Sequence, residues 1–185
     1  MKLTWLGNSC VVIDGDLRVI IDPNYLAEPE GQFDYVLITH EHDDHIDVEK
    51  LKKIEYRKLL APKHTLELYK LDGIAVKPGM TFDDIEVLES WCWKAIESVS
   101  YLYQGVLHAG DSAKFPDCNP RIVLTACFPD YYNDYLMEMK RLKPELVIPI
   151  HYKSEKRANA EGLKDILEKE GIKCKILEIK ESIEF

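Results

Sequence analysis

The sequence contains no stretch of about 18 consecutive apolar residues, the length a membrane-spanning helix needs, so no membrane segment is expected. Its five cysteines, Cys10, Cys92, Cys118, Cys127 and Cys174, are odd in number and never spaced C-x-x-C. That pattern argues against a disulfide framework and a structural zinc knuckle. Most of the thiols read instead as small core residues. Basic residues are outnumbered, with 24 Lys and Arg against 33 Asp and Glu and a net charge of −9. Long nucleic acids, which bind through clustered Lys and Arg, are therefore not expected partners. Anionic small molecules stay open, because a bound cation dominates the field of its own site. The opening Met1-Lys-Leu-Thr-Trp-Leu-Gly-Asn8 lacks the apolar core and cleavage site of a signal peptide, which makes the cytoplasm the expected location. No linker, low-complexity tract or repeat interrupts the chain. Its 185 residues, 46% of them hydrophobic, suit one domain over 1–185 with a substantial core.

What is present reads as strands with interspersed helices. Lys2–Leu6, Ser9–Asp14 and Leu17–Ile21 are short apolar runs divided by the turn signals Gly7-Asn8 and Asp14-Gly15-Asp16. A fourth strand is expected over 34–39, then a short helix over 47–54 with Asp47 as its N-cap. Strand 58–61 and a second short helix over 65–71 follow. The middle is β again, at 74–76, 81–82, 85–90, 98–103 and 106–109. Strand 122–125 precedes a helix over 131–142. Strand 145–150 delivers His151, the amphipathic helix 158–170 ends at Gly171, and 172–179 closes the chain. This order implies an α+β fold of two sheets packed face to face with helices outside.

The densest chemistry lies in His40-Glu41-His42-Asp43-Asp44-His45, which holds half of the six histidines in H-x-H-x-D-H order. The segment sits at a strand end, where a loop can fold several donors onto one point. Imidazole nitrogen and carboxylate oxygen are the usual donors for Zn²⁺ and other first-row divalent ions. A metal site is expected in preference to a merely solvated loop. Two later strand ends repeat the chemistry. In His108-Ala-Gly-Asp111 the glycine permits a tight turn that aims Asp111, and Ile148-Pro-Ile-His151-Tyr152 ends in a histidine.

These motifs, in this order, resemble the metallo-β-lactamase superfamily across nearly the whole chain. The segments Thr4–Ile13, Val19–Pro23, His108–Ser112 and Val147–Tyr152 are similar to the small branch containing ascorbate-6-phosphate lactonase and many uncharacterised hydrolases. The resemblance implies a four-layer αββα sandwich with a one- or two-metal centre at one edge. It assigns His40 and His42 to a first metal site, and Asp44, His45 and His151 to a second, with Asp111 bridging. Asp22 becomes the buried carboxylate that orients a metal-bound imidazole, and His108 a supporting residue beside the site. His64 has no partner motif and reads as a surface or helix-entry residue.

The pattern departs from the family in two places. Between His64 and His108 there is no histidine at all, although the family carries one after the corresponding strand. The place is taken by Trp91-Cys92-Trp93. Cys92 is either a thiolate ligand or a thiol packed between two aromatics, and the flanking tryptophans favour packing. The second departure is Asn8, where relatives often carry histidine, which bears on substrate contacts.

The expected activity is metal-assisted hydrolysis of a small-molecule substrate, with Zn²⁺ the first choice of ion, one or two per chain, and Mn²⁺ or Fe as alternatives. Asp44 is the candidate catalytic residue, able to orient an attacking water or accept its proton. Tyr131 and Tyr152 are candidates to assist a leaving group, although packing or rim roles suit them better. Lactone or ester hydrolysis is the first reading and a small-nucleotide phosphodiesterase the runner-up. The missing histidine keeps a third reading open, a degenerate relative that binds metal without turnover.

Overall fold

The computed structural model describes all 185 residues. One sheet is built from β1 (Lys2–Gly7), β2 (Cys10–Asp14), β3 (Arg18–Ile21), β4 (Gln32–Leu37), β5 (Glu55–Pro62) and β6 (Ile74–Val76). The other contains β7 (Thr81–Phe82), β8 (Ile85–Glu89), β9 (Val99–Tyr103), β10 (Val106–His108), β11 (Ile122–Thr125) and β12 (Leu146–Pro149). A last strand, β13 (Ser182–Glu184), returns to the first sheet and pairs antiparallel with β1, Thr4 opposite Ser182. The expected closing segment 172–179 is irregular instead. It touches β12 only at one bridge, where Val147 N–H donates to Lys173 O (2.9 Å) and Lys175 N–H to Val147 O (2.9 Å).

Side-chain alternation explains why the first sheet lies between two apolar layers. Successive residues of a strand face opposite sides. Val11, Ile13, Val19, Ile21, Tyr35 and Leu37 enter the large cluster between the sheets. Their neighbours Cys10, Val12, Ile20 and Val36 enter a smaller cluster on the outer face, with Leu51 and Leu66. Those two leucines belong to α1 (Val48–Leu51) and α2 (Lys63–Tyr69), so these short helices cover that face. On the second sheet, Ile122, Val123 and Leu124 are all buried, the continuous apolar pattern of a strand covered on both sides. Tyr135 and Met139 of α3 (Tyr132–Leu142) and Leu163 and Leu167 of α4 (Arg157–Lys169) join that core. The result is the expected helix–sheet–sheet–helix order.

Asp47 caps α1 as expected, its Oδ1 accepting from the N–H groups of Glu49 and Lys50 at 2.9 and 3.1 Å. The helix is shorter than expected and ends at Leu51.

Two features place the site. Strands β3 to β6 run parallel, as do β10 to β12, so each sheet presents carboxyl ends of parallel strands, where connecting loops gather functional groups. The sheets are also joined directly. Val99 N–H donates to Thr39 O (2.9 Å), and the fully buried Tyr101 hydroxyl reaches the carbonyls of Ile38 (3.0 Å) and Leu60 (3.3 Å). Replacing Tyr101 with Phe removes the donor to the Ile38 carbonyl, while Leu60 O keeps its bond from Ile38 N–H (2.9 Å). The expected loss is about 1–3 kcal/mol of unfolding free energy, read from urea denaturation. An unchanged midpoint would refute the linking role.

Candidate metal centre

After β3 the chain turns through Asp22, which has φ of 50° and is wholly buried. After β4 it passes through Thr39 into the histidine loop. Asp22 Oδ1 accepts from Thr39 N–H (2.8 Å), and Oδ2 accepts from both Thr39 Oγ1–H (2.8 Å) and His45 Nδ1 (2.6 Å). Because the Thr39 hydroxyl gives its proton to Asp22, it can only accept from His40 Nδ1, 2.9 Å away. The Nδ1 atoms of His40 and His45 therefore carry protons, and each Nε2 faces the site. Thr39 was not singled out in the sequence, where it reads as an ordinary strand residue. Its position directly before His40 was the only signal.

The 40–45 loop folds back on itself, with His45 N–H donating to His42 O (3.0 Å) and Ile46 N–H to the same carbonyl (3.2 Å). The second sheet brings Asp111 from beyond β10 and His151 from beyond β12. Gly110 has φ of 58°, and a Cβ there would press within 3.2 Å of Thr39 Oγ1, so both backbone and space favour glycine. His108 is buried and neutral in tendency, its pKa lowered by burial. Its Nε2 donates to Ser9 O (2.8 Å) and its Nδ1 accepts from Gly110 N–H (3.3 Å), which fixes the turn that aims Asp111. His151 has φ of 63°, and its N–H donates to Asn8 O (2.8 Å).

The structure thus brings His40, His42, Asp44, His45, Asp111 and His151 together, in two donor groups. The first comprises His40, His42, Cys92 and Asp111, and the second Asp44, His45 and His151. Asp111 spans them. Its Oδ2 lies 3.7 Å from His40 Nε2, while Oδ1 lies 3.0 Å from His45 Nε2 and 3.2 Å from His151 Nε2. Cys92 departs from the packing expectation. Its Sγ lies 3.5 Å from His40 Nε2 and 3.8 Å from His42 Nδ1, while Trp91 and Trp93 are 42% and 76% exposed and form no core around it. His64 stays outside, at the start of α2, its N–H held by Glu97. Tyr131 is exposed on a short 3-10 turn before α3. The Tyr152 hydroxyl donates to Leu177 O (3.3 Å).

Charge is tightly managed here. Burial and the neighbouring His45 push His40 down to about 3. Burial opposes charge on His45 too, but the carboxylates of Asp22 and Asp111 outweigh it and raise its pKa well above the usual value. Asp111 is held low against its burial by His45, His151 and His40. The His151 imidazole holds Asp44 down to about 2. Burial and then Asp111 push the Cys92 thiol up to about 12, a balance that a bound cation inverts.

These residues fit a divalent ion. The donors are nitrogen, sulfur and carboxylate oxygen, the set that zinc prefers. Donors sharing one tetrahedral ion at about 2.0–2.3 Å stand about 3.3–3.8 Å apart, close to the 3.1 Å between His40 Nε2 and His42 Nδ1 and the 3.5 and 3.8 Å from those atoms to Cys92 Sγ. His151 Nε2 is shielded from solvent and faces carboxylate oxygens of Asp44 and Asp111 at 3.1 and 3.2 Å, the convergence of buried donor atoms that a ligand position requires.

The family model of the β-lactamase superfamily domain matches residues 2–151. The chain belongs to the metallo-β-lactamase superfamily. Within that superfamily it is 30% identical to a UPF0173 metal-dependent hydrolase of Methanoculleus marisnigri, covering all of this chain and 96% of the relative. A similarly named protein of Thermoplasma acidophilum is 28% identical over the whole chain and 98% of its own length. Among solved structures, a Parabacteroides distasonis protein assigned as a metal-dependent hydrolase superposes with a TM-score of 0.79 at 22% identity, over 96% of this chain and 92% of that one. The metallo-β-lactamase fold protein YhfI of Bacillus subtilis gives 0.72 at 15% identity, over 100% and 98%. The chain is thus a member of a metal-dependent hydrolase family with the superfamily's two-sheet fold.

For this superfamily member, Asp22→Asn removes the charge behind His45 while preserving shape. Metal affinity is expected to fall about 10–100-fold, measured by competition with a chromophoric chelator; unchanged affinity would refute the orienting role. Since Asp22 and Asp111 raise the pKa of His45, an incoming cation competes with a proton there. Metal uptake should therefore release protons and tighten as pH rises, which calorimetry in buffers of different ionisation enthalpy measures.

Proposed function

We propose that the protein is a zinc-dependent hydrolase of small lactones or carboxylic esters. The observation that carries the reading is the Asp111 carboxylate facing both donor groups, with Asp44 beside it at a cleft. His40, His42 and Asp111 would hold one ion, and Asp44, His45, His151 and Asp111 a second. When bound, such an ion supplies Lewis acidity toward a substrate oxygen and makes water nucleophilic near neutral pH.

The chain's own groups do the rest. Asp44 is 48% exposed where Asp111 is 13% exposed, so Asp44 is the carboxylate open to an approaching substrate. It is ionised throughout the physiological range and orients an attacking water or takes its proton. Asp22 and Thr39 keep His40 and His45 in their facing tautomers. A cleft of about 270 Å³ adjoins Asp44 and His151, bounded by Asn8, Phe128, Lys153 and Lys156. Its volume suits a small substrate. The Asn8 side-chain amide there donates to Asn24 O (3.0 Å), while its backbone carbonyl holds the His151 N–H (2.8 Å).

A second reading, hydrolysis of a small-nucleotide phosphodiester, draws support from Lys153 and Lys156 at that cleft. The five free thiols suit a reducing compartment, in keeping with a cytoplasmic location.

Purified protein reconstituted with zinc, manganese or iron and offered lactones, esters and phosphodiesters tests the reading. Lactone or ester turnover is expected, and turnover of phosphodiesters alone would select the second reading. Asp44→Ala should lower kcat/KM about 10²–10⁴-fold, while His64→Ala leaves it unchanged. No turnover with any ion would overturn hydrolysis in favour of a metal-binding protein without catalysis, and full activity in Asp44→Ala would remove Asp44 from the mechanism.

A further inference from the structure

The loop between β8 and β9 carries Cys92 and is tied at several points to the segments that bear the other donors. Trp91 N–H donates to the hydroxyl of Ser112, the residue after Asp111, at 3.2 Å. Ile96 N–H donates to Glu41 Oε1, between His40 and His42 in sequence, at 2.6 Å. Within the loop, Cys92 N–H donates to Ser98 Oγ (3.3 Å), and that hydroxyl donates to Ser90 O (3.1 Å). Ser98 itself bridges to His40 across the sheets. The thiol is thus positioned by backbone bonds to the histidine loop and the Asp111 turn.

The flanking indoles point away from a packing role. Trp93 lies against Lys94 Nζ (4.2 Å) and Trp91 against Lys114 Nζ (4.5 Å), both at the surface. The Cys92 thiol faces inward instead, within 4.0 Å of His40 Nε2, His42 Nδ1 and Asp111 Oδ2. Outside that group it reaches Trp93 O at 3.5 Å, a long bond for a weak donor.

We propose that Cys92 is a metal ligand, completing with His40, His42 and Asp111 a pocket of two nitrogens, one sulfur and one oxygen. The inference rests on the metal-dependent hydrolase reading and makes its centre asymmetric. The first pocket contains a soft thiolate; the second, built from Asp44, His45, His151 and Asp111, holds only imidazole and carboxylate. Thiolate favours zinc and cobalt over manganese, whereas the second pocket accepts harder ions as well. On binding, the S–H bond breaks, its proton passes to solvent, and the sulfur lone pair forms the bond to the ion. No electron is transferred.

Cobalt(II) tests the assignment because a cobalt–thiolate bond gives an intense near-ultraviolet charge-transfer band, which nitrogen and oxygen ligands do not. The full chain is saturated with cobalt, the ions per chain are counted by atomic emission, and the spectrum is recorded. The wild-type protein should show the band, and Cys118→Ser, which alters a thiol outside the donor groups, should keep it. Cys92→Ser should lose it. Cys92→His supplies the histidine expected of the family, and should hold as much cobalt as wild type without the band, which covers a Cys92→Ser variant that folds poorly. Cobalt bound to wild type without the band, or a band that survives in Cys92→His, would overturn the thiolate ligand alone. Failure of wild type to bind cobalt or zinc would overturn the hydrolase reading and this inference with it.

Discussion

One buried carboxylate organises the centre. Asp22 has no solvent to stabilise its charge, and a charge in that position is costly unless it is paired and hydrogen-bonded. It receives three bonds, from the Thr39 amide, the Thr39 hydroxyl and the His45 ring. Those bonds join the ends of two adjacent parallel strands and dictate which nitrogen of His40 and of His45 is free. The ligand-bearing loop therefore inherits its orientation from the sheet behind it.

The second sheet must then meet this loop at the right place. It does so through backbone conformations that side chains rarely adopt, at Gly110 and at His151, the latter held by Asn8 O. Left-handed conformations at non-glycine residues cost free energy and persist where surrounding bonds over-determine them. Asp22 and His151 both meet that description, the first held by Thr39 just beyond β4 and the second by Asn8 in the turn between β1 and β2. The two-sheet sandwich is what makes such gripping possible, because Thr39 reaches Val99 and Tyr101 reaches Ile38 and Leu60 across the junction.

The electrostatics follow from the same crowding. Imidazoles and carboxylates alternate around Asp111, and each suppresses or promotes its neighbour's charge. Although the chain carries a net charge of −9, the histidines leave the pocket far from uniformly acidic. The meeting of soft and hard donor atoms and the exposure of Asp44 both arise from this arrangement rather than from any one residue.

Much of this was legible in the residues themselves. H-x-H-x-D-H packs several donors into a few residues after an apolar strand, so local spacing sufficed to gather them. The apolar run within Ser9–Asp14 marked a strand, and Asp47 marked the start of its helix. What no local pattern carried was any pairing between distant segments. Thr39 acquires its role only when Asp22, 17 residues earlier, lies beside it. β13 forms because Ser182 meets Thr4, 178 positions away. The tryptophans beside Cys92 suggested packing, but bonds from that loop to Glu41 and Ser112 turn the thiol inward and leave the indoles outside. The sequence by itself determined which donors exist and that they stand at strand ends. The tertiary structure decided which of them share a point, because that depends on contacts between strands far apart along the chain.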